Sequence, residues 1–117
     1  MSRPAILAVD GGGSKIDAAL VSKGGNLLAV ARWNGSTYDS SDRVGALEGV
    51  SAAIKAVCAD AGIEEDRRPV ADLGVFCLAG ADLPEDDRRI ARALAKLRFA
   101  AEDLVRNDTF AVMRAGT

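Results

Sequence analysis

The chain has 117 residues, 49% of them apolar, with 15 basic side chains against 17 acidic ones and a net charge of -2. That is one domain's worth of core with no room for a second large lobe, and the bases are scattered rather than gathered in a stripe, which excludes the footprint of a nucleic-acid binder. The longest apolar stretches fall short of the roughly 20 residues a membrane helix needs, the opening MSRPAILAVDGGG lacks a signal peptide's apolar region, and the chain therefore reads as cytoplasmic, with neither membrane nor nucleic-acid partner.

AILAVD (5–10) predicts a short strand ending in a charge, SKIDAALVSK (14–23) a partly alternating one, GGN (24–26) a turn, and LLAVARWN (27–34) a third strand. Three strands joined by two glycine turns predict an antiparallel meander. After GSTYDSSD, the apolar positions Val44, Leu47, Val50, Ile54, Val57 and Cys58 recur at helical spacing, which predicts a helix over about 41–61 with Gly62 as its stop. Gly45 and Gly49 each lower helix propensity by about 1 kcal/mol relative to alanine, so either close packing compensates or the helix starts late. EEDRRP reads as a solvated loop, and DLGVFCLAG (72–80) as a strand covered on both faces.

LPEDDRRIARALAKL then carries a helix-opening proline and acids, with Ile90, Leu94 and Leu97 on one stripe. AEDLVRND (101–108) predicts a short strand ending in Asn107-Asp108, and TFAVMRAGT the opening of another helix. Histidine is absent, and Cys58 and Cys77 sit inside apolar segments, which predicts two buried free thiols rather than a disulfide or a zinc site. The order βββαβαβ(α) implies one mixed α/β sheet with three antiparallel strands first and helices on both faces, as in the ribonuclease H-like fold. The chain halts barely two turns into its last predicted helix, which suggests a truncated domain.

Between the first two strands, Gly11, Gly12 and Gly13 form a turn whose backbone can approach a phosphate because no Cβ intervenes. Ser14 can add a hydroxyl, Lys15 a positive charge, and Asp10 at the strand end can hold Mg²⁺ directly or through water. The spacing matches neither a P-loop nor a dinucleotide fingerprint, because strand leads to strand. The same residues are also those of an ordinary glycine-rich hairpin turn. Asp108 ends a strand where it can face the cleft with Asp10 if the two strands run the same way, or it can cap the next helix. CLAGAD, with Gly80, Ala81 and Asp82, either borders that crevice or is a plain strand-to-helix turn.

The segments AVDGGGSKIDAALVSKGGNLLAVARWNGSTY, GVFCLAGADLPEDDRRI and VRNDTFAVMRAGT, in this order and spacing, resemble the N-terminal lobe of the N-acetylglucosamine kinase and BadF/BadG-type ATPase family. That family belongs to the sugar kinase, Hsp70 and actin superfamily, and the resemblance covers essentially the whole chain. It implies an actin-like ATPase lobe, residues 1–117, using ATP and Mg²⁺ and lacking its C-terminal partner lobe with the adenosine-binding segments. It implies that Asp10 is the magnesium-linked carboxylate and that Gly11, Gly12, Gly13, Ser14 and Lys15 surround the β- and γ-phosphates. Asp108 matches the family's catalytic base, preceded by Asn107, while Gly35, Ser36, Thr37 and Tyr38 fall where the kinases contact sugar, and Gly80, Ala81 and Asp82 match a turn near the active site.

The implied activity is phosphoryl transfer from ATP to an amino-sugar hydroxyl, for which this chain alone is expected to be inactive because closure around ATP requires both lobes. The animal N-acetylglucosamine kinases carry an asparagine where Tyr38 stands. The family's other branch hydrolyses ATP and holds an iron–sulfur cluster between subunits, and Cys58 and Cys77 do not match those cluster positions. The alternative reading is a BadF/BadG-type ATPase or nucleotide-binding fragment without kinase activity. In either case a lobe without its partner exposes apolar surface, which favours a homodimer.

Overall fold

The computed structural model describes residues 3–11, 15–34, 43–64, 67–78 and 84–106. Strands β1 (Ile6–Gly11), β2 (Lys15–Val21) and β3 (Leu27–Asn34) are followed by helix α1 (Arg43–Ala61), strand β4 (Ala71–Leu78), helix α2 (Pro84–Leu97) and strand β5 (Ala100–Arg106). The strands form one mixed sheet in the order β3-β2-β1-β4-β5. The first three are an antiparallel meander, as the two glycine turns predict, and β4 and β5 join parallel to β1. The last strand ends at Arg106 rather than at residue 108, and the helix expected after it lies outside the described residues.

Alternation explains which side of the meander is buried. Leu7 and Val9 of β1, Ile16, Ala18 and Leu20 of β2 and Ala31 of β3 point the same way and join Val50, Ala53, Ile54, Val57 and Cys58 of α1 in one cluster. Val70, Ala71, Phe76, Leu94 of α2 and Phe99 complete it. The helical stripe expected in α1 is thus the core face from Val50 onward, and the stripe in α2 delivers a fully buried Leu94 and a partly buried Leu97. Both cysteines are buried and neither is in a disulfide, as composition predicts.

The glycine question in α1 has a packing answer. A Cβ on Gly49 would stand 2.7 Å from Ile16 Cδ1 and 3.5 Å from the Trp33 ring, so this glycine lets the helix lie close on β2 and β3. The helix then ends as its sequence predicts. Gly62 has φ 72°, its N–H donates to the Ala59 carbonyl at 3.1 Å, and the Ile63 N–H donates to Cys58 at 2.8 Å, a Schellman arrangement that satisfies two terminal carbonyls. At the end of α2 the same left-handed step falls on Arg98, φ 55°, whose N–H donates to Leu94 at 3.0 Å.

The unbroken apolar run of β4 is covered on both sides, since Val75, Phe76 and Cys77 alternate in direction and all are buried. Gly74 makes this possible on one side. A Cβ there would come within 2.6 Å of the Phe76 ring and 3.0 Å of the Ala100 Cβ.

Candidate functional site

Four of the five strands run in one direction, so their C-terminal ends share a rim with the beginning of β2. Gly11 closes β1 opposite Ile16 of β2 and Leu78 of β4, Asn34 closes β3 opposite Lys15, and Arg106 closes β5 opposite Cys77. Neighbouring strands lie about 4.8 Å apart, so the ends of β1 and β5 stand about 10 Å from each other across β4. The condition that brings the two predicted carboxylate-bearing ends together, parallel β1 and β5, is met.

Of the residues expected to act, Asp10, Gly11 and Lys15 lie on this rim. Gly12, Gly13 and Ser14, then Gly35, Ser36, Thr37 and Tyr38, then Gly80, Ala81 and Asp82, and finally Asn107 and Asp108 lie outside the described residues. Each of these four groups follows closely on a strand end that reaches the rim: β1, β3, β4 and β5 in turn.

Asp10 faces away from the α1 side, by alternation with buried Val9 and Gly11, and is half-buried. Its cross-strand partner is Asp17. Directly opposite residues on antiparallel strands hold their Cβ atoms about 5 Å apart, so two carboxylates meet on one face. Burial first, and then the charge of Asp17, push the Asp10 carboxyl above its ordinary value. Asp17 is in turn held from the other side: Arg32, opposite it on β3, donates from Nε to Oδ1 at 2.7 Å and from a terminal nitrogen to Oδ2 at 3.2 Å. That two-point pairing raises the Arg32 guanidinium's own value. Lys15, two residues before Asp17 and exposed, belongs to the same face.

The row Arg32, Asp17, Asp10 therefore crosses three strands just beneath the rim. Arg32 answers Asp17 and leaves Asp10 half-buried beside a like charge. A hard divalent cation with oxygen ligands is the kind of group such a donor set accepts, because it would relieve both the burial penalty and the repulsion.

Asp17 and Arg32 carry roles that the residue-by-residue reading of the sequence did not assign. Counting outward from the glycines does not find them: Gly11 pairs with Ile16, which sets Asp10 opposite Asp17, and a register shift between Leu20 and Val21 brings Arg32 rather than Ala31 opposite Asp17. Asp103 on β5 was also missed. It lies opposite Gly74, its Oδ1 is buried with no hydrogen-bond partner among the described residues, and burial raises its carboxyl. An open cleft of about 500 Å³ lies at the other end of the sheet, lined among others by Arg3, Lys23, Leu28, Asp60 and Arg67, and contains none of the predicted site residues.

No family model and no curated protein matches the sequence. Solved structures do share its fold. A candidate N-acetylglucosamine kinase from Chromobacterium violaceum matches with a TM-score of 0.70 at 18% identity, over 100% of this chain and 40% of its own. The (R)-2-hydroxyglutaryl-CoA dehydratase component A of Acidaminococcus fermentans matches with a TM-score of 0.53 at 12% identity, over 89% of this chain and 31% of its own. The chain thus shares its fold with part of each of these two proteins, and spans less than half the length of either. Among the described residues no helix is long and apolar enough to cross a membrane.

Proposed function

We propose that this chain is the N-terminal lobe of an ATP-dependent kinase that transfers the γ-phosphate of ATP to a hydroxyl of an amino sugar. The observation that carries the reading is the convergence of four strand ends on one rim with Asp10 beneath it. The likeness to a candidate N-acetylglucosamine kinase over the whole chain supports it.

In this reading Asp10 holds Mg²⁺ through water, which when bound neutralises phosphate charge and orients the nucleotide. The backbone of Gly11, Gly12 and Gly13, the Ser14 hydroxyl and the Lys15 ammonium receive the β- and γ-phosphates. Residues Gly35, Ser36, Thr37 and Tyr38, with Asn107 and the turn Gly80, Ala81 and Asp82, face the acceptor. The Asp108 carboxylate takes the proton of the sugar hydroxyl while that oxygen bonds to the γ-phosphorus. The bond from this phosphorus to the β,γ-bridging oxygen breaks, and ADP leaves with the electron pair. The adenosine contacts come from a second lobe, and the use of ATP places the reaction in the cytoplasm.

The test is Asp108→Asn in the full-length protein. Sugar phosphorylation should fall by about 100-fold or more, with Mg-ATP binding measured by calorimetry retained. Unchanged turnover would remove Asp108 from the mechanism.

The likeness to a dehydratase component favours a second reading, an ATPase of the BadF/BadG type with no sugar acceptor. An NMR titration separates the two. Shifts caused by amino sugars support the kinase, whereas silence toward every amino sugar with shifts near Lys15 on adding Mg-ATP supports the ATPase.

A further inference from the structure

Asp17 stands between two partners of opposite charge. On one side it faces Asp10 of β1 and on the other Arg32 of β3, all on the face of the sheet turned away from α1. Directly opposite residues on antiparallel strands hold their Cβ atoms about 5 Å apart. Two carboxylates at that spacing can both reach one divalent ion, whose oxygen ligands lie roughly 2.0–2.6 Å from it. The two acids alone would therefore form a chelating pair.

Arg32 stands against that outcome. Its guanidinium donates from Nε to Oδ1 of Asp17 at 2.7 Å and from a terminal nitrogen to Oδ2 at 3.2 Å, so one rigid fork engages both oxygens. A two-point bond fixes the rotation of the carboxylate, and here it turns Asp17 toward β3 rather than toward Asp10. The ion pairs among the described residues join Arg3 to Asp72, Arg32 to Asp17 and Arg67 to Glu64, and Asp10 is in none of them.

Resting on the reading in which Asp10 holds Mg²⁺ through water, we propose that Arg32 is a positioning residue that keeps Asp17 out of the metal's coordination shell. The site then offers the cation a single carboxylate and takes Mg²⁺ as its complex with nucleotide phosphate rather than as a resident ion. Mg²⁺ is commonly held in this way, by few carboxylates together with substrate phosphates and its own waters. A cation already neutralised by two carboxylates would have little charge left for the phosphates.

The probe is Mn²⁺, whose free aqua ion is counted directly by electron paramagnetic resonance, titrated into the purified protein without nucleotide. The parent should bind it more weakly than about 1 mM. Arg32→Gln frees Asp17 and should tighten binding by about 10-fold, the effect of one more unit charge beside the ion. Adding Asp17→Asn to that variant should return the affinity to the parent's. Arg32→Lys keeps the positive charge but cannot hold both oxygens, and should show part of the gain. The Arg32 side chain is 54% exposed, and circular dichroism checks the fold of each variant, with Arg32→Lys carrying the test if Arg32→Gln fails to fold. An affinity equal to the parent's in folded Arg32→Gln overturns the proposal, as does a gain in Arg32→Gln that Arg32→Lys lacks entirely, since charge alone would then be acting. Failure of the underlying reading has a different signature. If Asp10→Asn leaves Mg-ATP binding by calorimetry unchanged, Asp10 is not the metal's carboxylate; if it weakens that binding while Arg32→Gln gains no Mn²⁺ affinity, only the role of Arg32 falls.

Discussion

The antiparallel and parallel halves of the sheet treat polar side chains in opposite ways. Between β2 and β3, Asp17 meets Arg32 and both carboxylate oxygens are bonded. Between β4 and β5, Asp103 meets Gly74 and leaves a buried oxygen without a partner among the described residues. The difference lies in what sets the register. A short turn fixes which residues of a hairpin face each other, so charges can be matched locally in sequence. Parallel strands joined through a helix take their register from packing, here Gly74 of β4 leaving room for Ala100 of β5. In the first half the charges are matched by the hairpin register, including its shift near Val21, and in the second volume decides.

If volume governs the parallel half, Gly74→Val should be the most damaging of four changes. Its side chain would enter space held by Phe76 and Ala100, and thermal unfolding should show a loss of about 3 kcal/mol or more. A loss under about 1 kcal/mol would mean that β4 shifts freely and that packing does not hold its register.

Gly49→Leu probes the meander's contact with α1. Overfilling against Ile16 and Trp33 should cost about 1–3 kcal/mol and move the Trp33 emission, and an unchanged spectrum would contradict the close approach.

Asp103→Asn works in the other direction. The folded carboxyl lies above its ordinary value of 3.8, so its ionisation opposes folding: the cost is absent below the unfolded value and is complete once pH has passed the folded one. The variant should be more stable than the parent by about 1 kcal/mol or less near pH 7, with the gain gone by about pH 3, as read from denaturant midpoints at both pH values. Asp10 contributes a pH dependence of the same sign, since its carboxyl is also raised.

The smallest effect is the most informative about the site. Asp17→Asn removes the like charge opposite Asp10 and should bring the Asp10 carboxyl down toward its ordinary value in a carbon-detected NMR titration, without reaching it, because burial is the larger cause. No movement would mean that the cross-strand pair does not act on Asp10.

Much of the fold was readable from local pattern. The two glycine turns, the alternation that buries Ile16, Ala18 and Leu20, the apolar run of β4 and the stop at Gly62 each follow from backbone geometry within a few residues, and every element in the described residues was anticipated to within about two residues. The candidate site was legible as a set of strand ends, because turns and strand ends are marked by glycine and by charges that interrupt apolar runs. Asp17 was overlooked because inside an alternating strand it looks like any solvent-facing polar residue. Its meaning depends on the strand beside it.

What the sequence determined by itself is therefore local: where the chain turns, which face of each element is apolar, and that Asp10 ends a strand before a run of glycines. What only the tertiary structure decided is juxtaposition. The parallel pairing of β1, β4 and β5 brings ends nearly a hundred residues apart onto one rim, Asp103 is left facing a glycine, and β3 becomes an apolar edge while β5 becomes a charged one. Those outcomes depend on how α1 and α2 pack, through Gly49 and Leu94, and packing between elements distant in the chain leaves no mark in the periodicity of any one of them.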